Sequence, residues 1–172
     1  MASLMENLID VLNKESSEYE VLLGLSQKKT PVIIAGDLEA LQQITDDEQR
    51  IVTKVTSLEK KRVEVTGDIA NVLNKDVTTL KLSDLIAMLT ARPVEQKALA
   101  AAHDSLQAVI RELKRVNEQN AELLKNSLEM VEFEMNLLQA MKSAPETANY
   151  NRGAYCAGDT MGISTGGFDA KQ

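Results

Sequence analysis

The stretch AGDLEALQQITDDEQRIVTKVTSLEKKRVEVTGDIANVL, residues 35–73, decides how this chain is read. Leu41, Ile44, Glu48, Ile51, Val55, Leu58, Arg62, Val65, Ile69 and Val72 advance by alternating steps of three and four. Such a 3.5-residue period, held over more than four heptads, keeps one stripe of a helix facing another helix along its length. Asp37 precedes the pattern and suits the start of a helix, where a side-chain oxygen can accept from free amides and negative charge is favoured. At 1.5 Å per residue the rod would be about 55 Å long. Gly67 lies inside it and costs about 1 kcal/mol relative to alanine, a point where the helix could fray or kink. Two polar residues, Glu48 and Arg62, stand in the seam.

Working outward, the N-terminal side carries Leu4, Leu8, Val11, Leu12, Tyr19, Leu22 and Leu23 at helical spacing. This predicts an amphipathic helix from Ser3, as N-cap, to about Lys29, with Pro31 and Gly36 punctuating its end. On the C-terminal side, Ser83 is placed to cap a short helix holding Leu85, Ile86, Met88 and Leu89, which Arg92-Pro93 ends because the residue before proline avoids the helical region. So short and apolar an element should lie across one end of the rods. A further helix is expected from Pro93 to about Lys142, its seam marked by Leu99, Leu106, Ile110, Leu113, Leu124, Val131, Leu138 and Met141 and interrupted by Asn117 and Asn120. At about 75 Å it outruns the other two, so its last third should overhang or be covered by another molecule. The expected fold is all-α: an elongated antiparallel bundle or coiled coil of three long helices and one short one. It should occupy residues 1–142, with a flexible glycine-rich tail over 143–172.

Composition narrows the functions. The chain has 172 residues, 19 basic against 26 acidic, and a net charge of −7. Nucleic acid needs a concentrated basic footprint, and Lys60-Lys61-Arg62, the densest basic run, reads as the solvated face of a helix. No apolar run approaches the roughly 20 residues that span a bilayer, and the N-terminus lacks the pattern of a signal peptide. No membrane insertion and a cytosolic address are therefore expected. The lone Cys156 excludes an internal disulfide, and the lone His103 cannot build a usual zinc set, so it reads as a helix-flank residue. Asp46, Asp47 and Glu48 are adjacent on a helix and do not converge on a cation. The tail glycines lack the Gly-Lys-Ser/Thr pattern and preceding strand of a phosphate loop. No metal, cofactor or catalytic activity is expected.

Two regions are left for recognition. Leu128, Met130, Val131, Phe133, Met135, Leu137, Leu138 and Met141 make the end of the last helix unusually apolar. They either fill a bundle core or offer adaptable thioethers and aliphatic chains to an apolar partner. The tail holds five of the eight glycines and three of the five aromatic residues, Tyr150, Tyr155 and Phe168. It reads as a flexible arm carrying short aromatic anchors.

The stretch GDLEALQQITDDEQRIVTKVTSLEKKR, with Asp37, Leu41, Glu48-Gln49, Ile51 to Leu58 and Arg62, resembles the second helix of the FlgN family. Tyr150-Asn151, Gly153 and Phe168-Asp169 are similar to the ending of its members. The resemblance implies a cytosolic chaperone of flagellar type III export. Its partners would be the C-terminal helices of hook–filament junction (hook-associated) proteins, which it keeps from assembling prematurely, and the export gate. Carried onto this chain, the cargo surface would be Leu124, Leu128, Val131, Met135 and Leu138, and gate docking would fall to Tyr150 with Asn151 and Gly153. The competing reading is a structural or adaptor coiled coil acting by homo-oligomerisation, with Asn117 and Asn120 setting register between identical helices. A chaperone of this kind also allows a homodimer when free.

Overall fold

The structure, a computed structural model, describes residues 3–143. Four α-helices and one 3₁₀ turn follow in order: α1 Leu4–Ala35, α2 Leu38–Val72, α3 Leu82–Met88, the turn Leu89–Ala91, and α4 Pro93–Ser143. There is no strand among the described residues, and the fold is all-α as expected. The chain divides into two compact units, Met1–Met130 and Val131–Gln172. The described part of the second is the end of α4, residues 131–143.

The helix ends follow local chemistry. Ser3 Oγ accepts from the Glu6 amide at 3.1 Å, and Glu6 Oε2 accepts from the Ser3 amide at 2.7 Å, a reciprocal cap that satisfies two otherwise free donors. Asp37 Oδ1 accepts from the Ala40 amide at 3.0 Å and starts α2. Between them Gly36 takes φ 68°, the left-handed region that glycine enters without a Cβ penalty, and its amide bonds to Ile33 O. The helix does not stop near Lys29: it runs through Pro31 to Ala35. Proline denies the carbonyl of Gln27 its usual donor, but both residues are exposed, so water can reach that carbonyl. Gly67 likewise sits within an unbroken α2. The short helix begins two residues earlier than Ser83 suggested, with Lys81 as N-cap and its amide donating to Asp84 Oδ2 at 3.1 Å.

In the first unit the main core joins all four helices: Leu8 and Leu12 of α1, Val65 and Ile69 of α2, Leu85 of α3, and Leu99, Ala102, Leu106 and Val109 of α4. The short α3 thus packs against the rods as expected, and Gln96 Nε2 ties it to α4 through Ile86 O at 2.8 Å. A smaller cluster of Leu22, Val55 and Leu113 continues the core. Tyr19 pairs with Glu59 and Ser26 with Glu48, so α1 and α2 run antiparallel. Ser16 meets Ser105 while Thr30 meets Asn120, so α1 and α4 run parallel, as an up-down-up order requires.

The seam of α4 is Leu99, Ala102, Leu106, Val109, Leu113, Val116 and Asn120. Ile110, expected in it, is 40% exposed, because Val109 takes the inward position one residue earlier. Val72, at the last step of the α2 heptads, is also exposed, since α2 ends there.

Candidate functional site

The buried face of α4 ends in polar residues. Asn120 is buried; its Nδ2 donates to Ser26 O at 2.8 Å and its Oδ1 accepts from Thr30 Oγ1 at 2.6 Å. Ser26 Oγ donates to Asn117 Oδ1 at 2.8 Å, and Lys29 pairs with Glu48 on the neighbouring α2. Both asparagines are therefore engaged within the chain, with α1, rather than across identical helices. Every buried polar side-chain atom among the described residues has a partner, so the layer holds α4 against α1 without an uncompensated group.

A second polar layer lies between α1 and α2. Arg62 Nε donates to Glu15 Oε1 at 3.1 Å, with Glu15 almost fully buried. Burial pushes the Glu15 carboxyl above the ordinary value near 4.5, and the Arg62 charge pulls against it. Tyr19 donates to Glu59 at 2.8 Å, and its own burial together with that carboxylate pushes its phenol up to about 12. Arg62 is thus the counter-charge of a buried acid, whereas Lys60 and Lys61 are solvated as expected.

From residue 125 to the end of α4 every residue is exposed. Leu128 is 68% exposed, Val131 52%, Met135 65% and Leu138 58%. Leu124 differs: it is half-buried and lines a groove with Leu22, Val52 and Leu113 in the first unit. In the second unit, Val131, Met135 and Leu138 recur at steps of four and three and share one face of the helix. Met130, Phe133, Leu137 and Met141 are as exposed and follow the same steps on another face. The sequence marks them among the apolar residues of this helix without assigning them to the cargo surface. Their signal, a second set at helical spacing, was present. The alternative that these methionines fill a bundle core does not hold for the described residues. Large apolar side chains exposed on consecutive turns form a contiguous patch of the kind that interaction surfaces present. Tyr150, Asn151 and Gly153 lie outside the described residues.

Among the described residues no cluster of three or more His, Cys, Asp or Glu side chains is arranged to hold a metal ion. His103 Nδ1 instead meets Asp104 at 3.3 Å. No helix among the described residues is long and apolar enough to cross a membrane.

Comparison with known proteins places this geometry. The FlgN protein family matches residues 1–154. The chain belongs to the FlgN family. The uncharacterized protein YvyG of Bacillus subtilis (strain 168) is 27% identical over 144 residues, which cover 84% of this chain and 83% of that one. No solved structure matches. Membership makes the protein a flagellar chaperone by family, and a FlgN helix end that exposes its apolar residues accords with binding another protein.

Proposed function

We propose that this protein binds the C-terminal helical segments of hook–filament junction proteins in the cytoplasm, prevents their premature assembly and delivers them to the type III export gate. The observation that carries the reading is the exposed apolar end of α4, with Val131, Met135 and Leu138 at its centre and Leu124 and Leu128 at the same spacing on the preceding turns. Laying an amphipathic helix on such a face is an established mode of peptide recognition. Burial at about 25 cal/mol per Å² yields micromolar affinity or better after the cargo segment's ordering cost. Capture and handover of this kind require binding only, so no catalytic step is assigned to the chain.

Gate docking is assigned to Tyr150 with Asn151 and Gly153. The family match extends past α4 and includes all three positions, which supports treating them as part of the working molecule. Separating cargo capture from gate contact lets a loaded chaperone dock without giving up its cargo.

Co-expression of the full chain with junction proteins, followed by size-exclusion chromatography, tests the reading. It predicts a stable complex that is lost when the junction protein's C-terminal segment is deleted. A homodimer that buries the end of α4 and refuses every junction protein would instead establish the structural coiled-coil reading.

A further inference from the structure

The apolar face of the second unit has a charge pattern of one sign. Taking 100° per residue, Val131, Met135 and Leu138 cluster about one direction, with Glu132 roughly 90° to one side and Glu134 roughly 70° to the other. Both acids are exposed. Neither has a basic residue three or four positions away, the spacing at which a helix neutralises its own charges. Glu129, one turn before Glu132, lies on the far side of the helix from this stripe and is paired with Lys125, at 3.9 Å. No lysine or arginine occurs between Lys125 and Lys142. In helix-on-helix packing, the residues bordering the apolar stripe meet those bordering the partner's stripe and decide which partner is accepted.

We propose that the partner of this face is an amphipathic helix whose apolar stripe is bordered by lysine or arginine, and not a second copy of this chain. This rests on the cargo-binding reading of α4 and adds the chemistry by which the cargo segment is chosen. A second copy brings Glu132 and Glu134 against the same acids, in a chain whose net charge is already −7. Anionic membrane is disfavoured for the same reason, because interfacial helices that bind it carry basic polar faces. The acidic border thus does two things: it attracts a basic cargo helix and holds this otherwise sticky surface apart from itself.

The test uses the full chain and two synthetic helical peptides with identical apolar stripes, one bordered by lysines and the other by glutamates. Binding is followed by fluorescence anisotropy at low and high salt. A few exposed charge pairs at the border predict about a tenfold preference for the lysine peptide at low salt. The preference should shrink at about 0.5 M salt, where screening is strong. It should also shrink in Glu132→Gln/Glu134→Gln. The equally neutralised control Glu20→Gln/Glu64→Gln, which changes exposed acids elsewhere, should retain it. Equal binding of both peptides overturns the charge inference and leaves the apolar reading standing. Loss of preference in both double variants alike also overturns it, since net charge then explains the effect. Binding of neither peptide to the folded chain overturns both readings. Concentration-dependent dimerisation of the free chain, abolished by Met135→Glu, shows that a second copy is the occupant and overturns the proposal.

Discussion

Replacing Arg62 with methionine removes the counter-charge of Glu15 while keeping a long side chain between α1 and α2. Glu15 is 1% exposed, and its interaction with Arg62 spans 3.1 Å. Breaking a buried pair from one side costs about 3–5 kcal/mol. The Arg62 side chain is itself one-third exposed, which places this case near the lower end. An independent bound comes from the escape route open to Glu15, which is to take up a proton. Protonating a carboxyl of ordinary pKa near 4.5 at pH 7 costs about 3.4 kcal/mol, and at pH 5 about 0.7 kcal/mol. Both routes predict a loss of about 3 kcal/mol at pH 7. The sign follows from linkage: burial raises the folded pKa of Glu15, so folding favours its protonated form. Its favourable contribution is complete below about pH 4.5 and is lost as pH rises through the folded value. In Arg62→Met that folded value climbs further, so the variant should regain about 2–3 kcal/mol relative to the parent between pH 7 and pH 5. Urea denaturation followed by circular dichroism at pH 5, 6 and 7 measures this. A loss below about 1 kcal/mol, or one equal at all three pH values, would refute the idea that Arg62 neutralises a buried acid.

Three further changes probe other links. Asn120→Ala removes two short hydrogen bonds from a buried layer and should cost about 2–3 kcal/mol in denaturant titrations; near-neutrality would mean that this layer does not hold α4 to α1. Ser3→Ala dismantles the reciprocal cap of α1 and should cost about 1 kcal/mol, read as a shift in the urea midpoint at unchanged slope. Tyr150→Ala should leave cargo affinity unchanged and weaken pull-down of the export-gate component; the reverse pattern would contradict the assigned division of roles.

Helix number and most boundaries were legible because they rest on short-range chemistry. Ser3, Asp37, Gly36 and Pro93 each satisfy or forgo a specific backbone hydrogen bond, and the heptads of residues 41–69 can serve only a helix packed along another. Where the reading slipped, the deciding facts were long-range. In sequence Pro31 reads as a helix end because it lacks a donor, whereas the solvent exposure that makes the loss tolerable is set by the fold. In α1, Glu15 and Ser26 are hard to read as buried because a polar residue on a helix defaults to the solvent side. Their steps from Leu12 and Leu22 nevertheless place them on the seam, and Arg62 and Glu48 at the α2 seam were the matching signal. Asn117 and Asn120 are visible as interruptions, but a register device between two chains and a polar clasp to α1 leave the same trace in sequence. The apolar end of α4 was visible from composition alone, whereas its exposure came only from the fold.

The most direct test of cargo binding by the end of α4 is Met135→Glu in the full chain, measured for affinity toward a junction protein's C-terminal segment and for thermal stability. Met135 is 65% exposed, so a charge there should change folding stability by no more than about 0.5 kcal/mol. Bound to cargo, it would lose about 1.5–3 kcal/mol of apolar burial, which predicts affinity weakened by about tenfold to a hundredfold at nearly unchanged Tm. Unchanged affinity would show that the cargo lies elsewhere, and a large fall in Tm would show that Met135 belongs to a core rather than to a binding face.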